Sequence, residues 1–228
     1  MGPRVKRLYL PLILLWCAVA QTQNAHPPLR HIDFSDPEGI IHQLAPEDFP
    51  PPVLSIRASE RAETVRMLLQ AKRSETGWHK QLALYFLICF GQDYEQNRNE
   101  LLRTWEGTRD EDTMGLIIRM YHRGHSEVLN TILKAGPHSD GALSEELGDF
   151  FGSALGTQPR KIILAMSDFS VQDQTAICSL AGSGDCGGMA PDTETRVLRN
   201  LAKINGKVAA RCALNVRKGN SEADAANQ

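Results

Sequence analysis

What the chain lacks narrows its function more than what it contains. After the first twenty residues there is no apolar run long enough to cross a bilayer, since a spanning helix needs roughly 20 such residues. The longest later run, Leu82 to Phe90, has nine. There is no excess of positive charge, with 25 basic residues against 27 acidic ones. No strand-like alternation of four or more residues stands out, which argues against a β architecture. No phosphate-binding loop, dinucleotide fingerprint, HExxH pair or calcium loop is present, so no cofactor is implied.

Acidic residues are also missing from the start of the chain, where none precedes Asp33. Arg4, Lys6 and Arg7 open a positive segment, followed by the apolar stretch Leu8 to Val19 and then Ala18-Val19-Ala20 before Gln21. A charged start, a short apolar core and an A-x-A exit form the pattern of a cleavable signal peptide over 1–20, cut between Ala20 and Gln21. Pro11 shortens the apolar run further, and Trp16 before Cys17 argues against a lipoprotein site. Lys6 stands where a myristoylation signal needs Ser or Thr. The expectation is a secreted or periplasmic protein with no stable membrane anchor after cleavage.

Removal of that leader leaves 22 basic residues against 27 acidic ones. A mildly acidic chain disfavours nucleic acid, whose phosphates are bound by clustered Lys and Arg. Four cysteines remain, and an oxidising compartment permits their pairing. Cys178 and Cys186 lie eight positions apart across a glycine-rich turn, which makes them the expected bridge. Cys89 sits in an apolar run as a small hydrophobe, with a bridge to Cys212 as the alternative.

Residues 21–56 are rich in proline, including Pro27-Pro28 and Pro50-Pro51-Pro52. Proline fixes φ and removes a donor, so this segment is expected to be an extended arm or linker. From about residue 57 the pattern becomes helix after helix. Ala62, Val65, Leu68 and Leu69 share one face, and Leu82 to Phe90 predicts a helix apolar all round. Asp93 is placed to cap a helix carrying Leu101 and Trp105. Met114, Ile117, Ile118 and Tyr121 form a stripe behind Asp110, Glu111 and Asp112, with Gly124 just beyond its end. Further stripes run through Ile132 and Leu133, ended by Gly136-Pro137, then Leu143, Leu147 and Leu155, then Ile162, Ile163 and Phe169. Ser170 with Asp173 forms a variant capping arrangement that opens a helix through Ile177 and Leu180, and another stripe runs through Val197 and Leu201. The last runs through Val208, Cys212 and Val216, and the tail 218–228 is expected to be disordered.

Short helices punctuated by Gly or Pro predict an all-α domain over 57–217, built of stacked antiparallel helical hairpins. This arrangement is similar to a HEAT-like α-solenoid, with an irregular helical bundle as the alternative.

Three groups of residues are candidates for function. Gly184-Asp185-Cys186-Gly187-Gly188 resembles the nucleophile turn of chymotrypsin-like cysteine proteases, although helical surroundings lack the double β-barrel of that family. His122 and His125 bracket a turn near Asp110 and Asp112 and are a candidate metal pair, with Gly124 breaking the helix between them. Phe150 and Phe151 are candidate partner anchors if either is exposed, because aromatics concentrate binding energy at interfaces. The absence of a complete catalytic set favours an interaction module for a protein or peptide partner in the envelope or outside the cell. A hydrolase using Cys186 or the histidine pair, and a carrier of an apolar small molecule, are the competing expectations.

Overall fold

The computed structural model describes Leu44 and residues 56–184 and 187–226. The expected signal peptide and nearly all of the proline-rich arm lie outside the described residues. The chain divides into two compact units, with the boundary between Met67 and Leu68, within the first helix described below. Among the described residues the protein is predominantly helical, with no strand.

Among the described residues ten α-helices follow in order from Arg61. They are α1 (Arg61–Ser74), α2 (Gly77–Cys89), α3 (Tyr94–Thr108), α4 (Glu111–His122), α5 (Leu129–Ala135), α6 (Gly141–Thr157), α7 (Pro159–Ala165), α8 (Val171–Ser183), α9 (Pro191–Leu201) and α10 (Lys207–Ala226). Short 3-10 turns at Ser126–Val128 and Gly136–His138 precede and follow α5. Among the described residues no helix is long and apolar enough to cross a membrane.

The central element is α2, in which every residue from Gln81 to Ile88 is buried. A helix without a polar face must be covered on all sides, and α2 packs on α3 and α4. Lys72, Lys80, Asn97 and Glu100 tie this region together from α1 to α3. Lys72 Nζ donates to Asn97 Oδ1 at 2.7 Å and pairs with Glu100 at 2.9 Å, while Lys80 pairs with Glu100 at 3.0 Å. Asp110 caps α4 by accepting from the Thr113 amide at 2.8 Å. Asp93 occupies the cap position of α3 but makes no side-chain cap bond, and its own backbone turns left-handed at φ 42°.

The second half of the chain packs α8 against both α6 and α10. Gln174 lies beside Arg211, Cys178 beside Cys212, and Met189, just past the end of α8, beside Asn220. Helices α8 and α10 therefore run in the same direction, and α9 makes the return between them. Helices two apart in an up-down succession run parallel, so this pair fits stacked hairpins and an irregular helical bundle alike.

Two expectations are corrected here. Cys178 is bonded to Cys212, with Cα atoms 5.1 Å apart, and not to Cys186, which lies outside the described residues. The reason is the packing of α8 on α10, which sets Cys178 and Cys212 side by side on facing helices. Cys89 is free and half-buried. The expected tail is helical as far as Ala226. Its small residues serve packing: Ala223 is buried, and Asn220 Oδ1 accepts from the Met189 amide at 2.6 Å while its Nδ2 donates to Glu194 at 3.0 Å.

Candidate functional site

A cleft of about 590 Å³ opens between the end of α3, the end of α5 and the starts of α6 and α8. Its size falls in the range of about 300–1,000 Å³ typical of ligand sites. Trp105, Ala135, Pro137, Leu143 and Phe169 supply apolar wall, and Arg109, Lys134, Glu106, Asp140 and Asp173 supply charge of both signs.

Local sequence explains why these groups converge. Helix α3 stops at Thr108 because Arg109 turns left-handed at φ 53°, its amide donating to Trp105 O at 2.7 Å. Gly136 lets the chain turn close against the core, since a Cβ there would sit 2.9 Å from the Phe151 ring and 3.2 Å from Ile177. Pro137 follows within the 3-10 turn, and Ser139 Oγ donates back to Gly136 O at 2.8 Å. On the far wall, Ser170 Oγ accepts from the Asp173 amide at 3.1 Å and donates to the Asp173 carboxylate at 2.8 Å. This is the capping pair the sequence pointed to, and it fixes Asp173 in the first turn of α8. Buried Gln174 holds Phe169 in place by donating to Met166 O at 3.0 Å and Phe169 O at 2.9 Å, and Arg211 donates to its Oε1.

Two electrostatic features make the cleft chemically distinctive. Trp105 is 7 % exposed, and its indole Nε1 is buried without a hydrogen-bond partner among the described residues. An unmatched buried donor costs about 1–3 kcal/mol. Among the described residues no ion pair joins Arg109 or Lys134 to Glu106, Asp140 or Asp173, and a polar ligand has charges of both signs available. Phe169 and Leu143 offer apolar contact beside them.

Elsewhere, Phe150 and Phe151 are 3 % and 0 % exposed. They are core residues and not exposed anchors, because α6 is covered on a broad face by α4 and α8. Phe150 packs edge-on to Tyr121, to His122 and to Phe151. His122 and His125 have different neighbours. His122 lies against Tyr121 and Phe150, whereas His125 stacks on Tyr94 with its Nδ1 2.9 Å from the Tyr94 hydroxyl. Glu127 and Arg98 complete that polar knot, with Glu127 accepting from Tyr94. Burial, reinforced by the Glu127 carboxylate, pushes the Tyr94 hydroxyl up to about 12. A phenol held protonated is a donor and not a nucleophile. Among the described residues no group of three or more His, Cys, Asp and Glu is placed to hold a metal ion.

Glu146 on α6 carries another marked shift. Burial pushes its carboxyl up to about 7, and Glu111 and Asp112 add to the rise while Arg119 opposes it. The same burial lowers the affinity of Arg119 for its proton.

The chain matches no known family, no curated protein and no solved structure.

The sequence marked Trp105, Leu143 and Phe169 as apolar stripe members but not as lining of one cleft. The signals were the Gly136-Pro137 break and the Ser170/Asp173 cap, both of which read as punctuation until the fold brought them together.

Proposed function

We propose that this chain is an extracytoplasmic interaction module that binds an extended peptide segment of a protein partner in the Trp105 cleft. The observation that carries the reading is the cleft itself, where an aromatic and apolar wall lies among charges of both signs that make no ion pair with one another. A peptide supplies the complement: a large side chain for the apolar wall and flanking charges for the rim. In this reading the helices display the cleft as HEAT-like stacks display their binding faces. The buried Cys178–Cys212 bond supports the extracytoplasmic address, because such bonds persist in oxidising compartments. The hydrolytic and carrier readings draw no comparable support from a particular observation.

The test is selection of a displayed random-peptide library on residues 21–228 with the disulfide intact, beside an Arg109→Glu/Lys134→Glu variant. The expected result is a consensus with one aromatic or leucine anchor between charged positions, bound by the parent and at least tenfold more weakly by the variant. Peptides that bind both proteins equally, or no enrichment at all, would refute the reading.

A further inference from the structure

A second, smaller cleft has a different character. It encloses about 410 Å³ between the α6–α7 junction and the end of α9, with Gln158, Arg160, Lys161, Asn200, Lys203 and Ile204 among its lining residues. Three of its lining residues are cations and none is a carboxylate. In a chain with more acidic than basic residues this segregation is local and specific. Arg160, Lys161 and Lys203 are all exposed, and among the described residues none of them is ion-paired.

The cleft is also braced. Lys161 Nζ is held 4.6 Å above the centre of the Tyr121 ring, which fixes an ammonium without neutralising it. The Tyr121 hydroxyl donates to Gln158 Oε1 at 3.2 Å, so the amide group of Gln158 keeps its N–H donors for another partner. Asn200 Nδ2 donates to Gly156 O at 3.0 Å and ties α9 to the end of α6. Arg196, one turn before Asn200, lies against Gly156 as well, with its Nε 3.2 Å from where a Cβ would stand. Positive charge therefore lines one side of α9 as it meets α7.

From this we infer that the cleft binds a small molecule bearing a multivalent oxyanion, a phosphate, sulfate or polycarboxylate group. Arg160 and Lys203 supply the opposing charges, Gln158 a neutral donor, and Pro159 and Ile204 a short apolar strip for the remainder of the molecule. The site is separate from the Trp105 cleft and does not depend on it.

Pyrophosphate, inorganic sulfate and citrate are the probes, each titrated into residues 21–228 by calorimetry at low ionic strength, with amide shifts followed in parallel. Sodium chloride at matched ionic strength is the control, because exposed charges are screened over about 10 Å at 0.1 M salt. The expected outcome is saturable one-to-one binding by at least one probe, with Kd below about 1 mM and shifts centred on residues 157–161 and 200–204. Which probe binds tightest identifies the oxyanion. Arg160→Gln/Lys203→Gln, both on the surface, should weaken binding at least tenfold with an unchanged melting curve, whereas Lys134→Gln in the other cleft should leave it unchanged. Non-saturating shifts spread over every basic residue, or full binding by the double variant, would overturn the inference.

Discussion

At the scale of single residues, the closest backbone approaches at any glycine among the described residues fall at two positions. A Cβ at Gly182 would stand 2.1 Å from Val216 O, and one at Gly219 would stand 2.1 Å from Ser179 O. Both obstacles are backbone, which cannot rotate away as a side chain can. Gly182→Ala or Gly219→Ala should therefore cost about 3 kcal/mol by forcing α8 and α10 apart. The contrast is Gly107 on the exposed face of α3, where an added methyl meets nothing within 4 Å. There Gly107→Ala should gain roughly 0.5–1 kcal/mol, since alanine is the better helix former. Urea midpoints of the three variants test this, and equal destabilisation at all three positions would remove the close-packing explanation. Glu146 makes a prediction of a different kind. Its folded pKa, about 7, lies above its ordinary value of 4.5, so the folded state holds the proton more tightly. Stability from this group is then full below about pH 4.5 and falls as the pH rises through 7. Partial exposure limits the loss to roughly 1–2 kcal/mol. Glu146→Gln should flatten that part of the profile, measured as the difference in stability between variant and parent from pH 4.5 to 8. Parallel profiles would mean that the carboxylate is solvated in both states.

Helices show where sequence reasoning succeeds and where it stops. The stripe Met114, Ile117, Ile118 and Tyr121 was legible because one face of α4 is apolar, and all four residues are buried. The run from Leu82 was legible as a buried helix for the complementary reason, that it has no polar face to give solvent. The Ser170 cap was legible because a hydroxyl three residues before an amide is a local geometric fact. Asp93 shows the limit of that rule. It has the right residue type at the right position, but a left-handed backbone carries its carboxylate away from the first-turn amides. The C-terminal half of α10 was illegible for another reason. Lys218, Gly219, Ser221 and Glu222 look like a solvated tail because their helical state is decided by Ser179, Met189 and Glu194, contacts 26 to 40 positions away. Glycine disfavours an isolated helix, yet here it is what allows the helix to dock. Pattern reading registers the propensity and is blind to the docking.

On the scale of the whole molecule, the same blindness explains both the hidden cleft and the misplaced disulfide. The Trp105 cleft draws residues from positions 105 to 173, and only the packing of α3, α5, α6 and α8 brings them to one place. Proximity in sequence likewise favoured Cys186 for Cys178, whereas the fold presents Cys212, 34 positions away, on the helix alongside. That choice has a thermodynamic consequence. Closing a loop of this length restricts the unfolded chain enough to contribute about 4 kcal/mol in the chain-entropy view. Both sulfurs belong to residues 1 % exposed, so a thiol reductant should reach them only when the helices separate. Folded protein in dithiothreitol should therefore keep the bond over hours, and moderate urea should release it. Cys178→Ala/Cys212→Ala should unfold at a markedly lower urea concentration than the oxidised parent. The pairing itself is checked without reduction, by digestion with trypsin and a protease that cuts before aspartate. Cleavage ahead of Asp185 separates Cys178 from Cys186, and the fragment holding Cys178 should emerge linked to the one beginning at Cys212. Were Cys212 recovered free, with Cys178 joined to Cys186 instead, the pairing would be refuted, and the parallel packing of α8 and α10 would rest on the glycine contacts and on the Gln174–Arg211 and Met189–Asn220 hydrogen bonds.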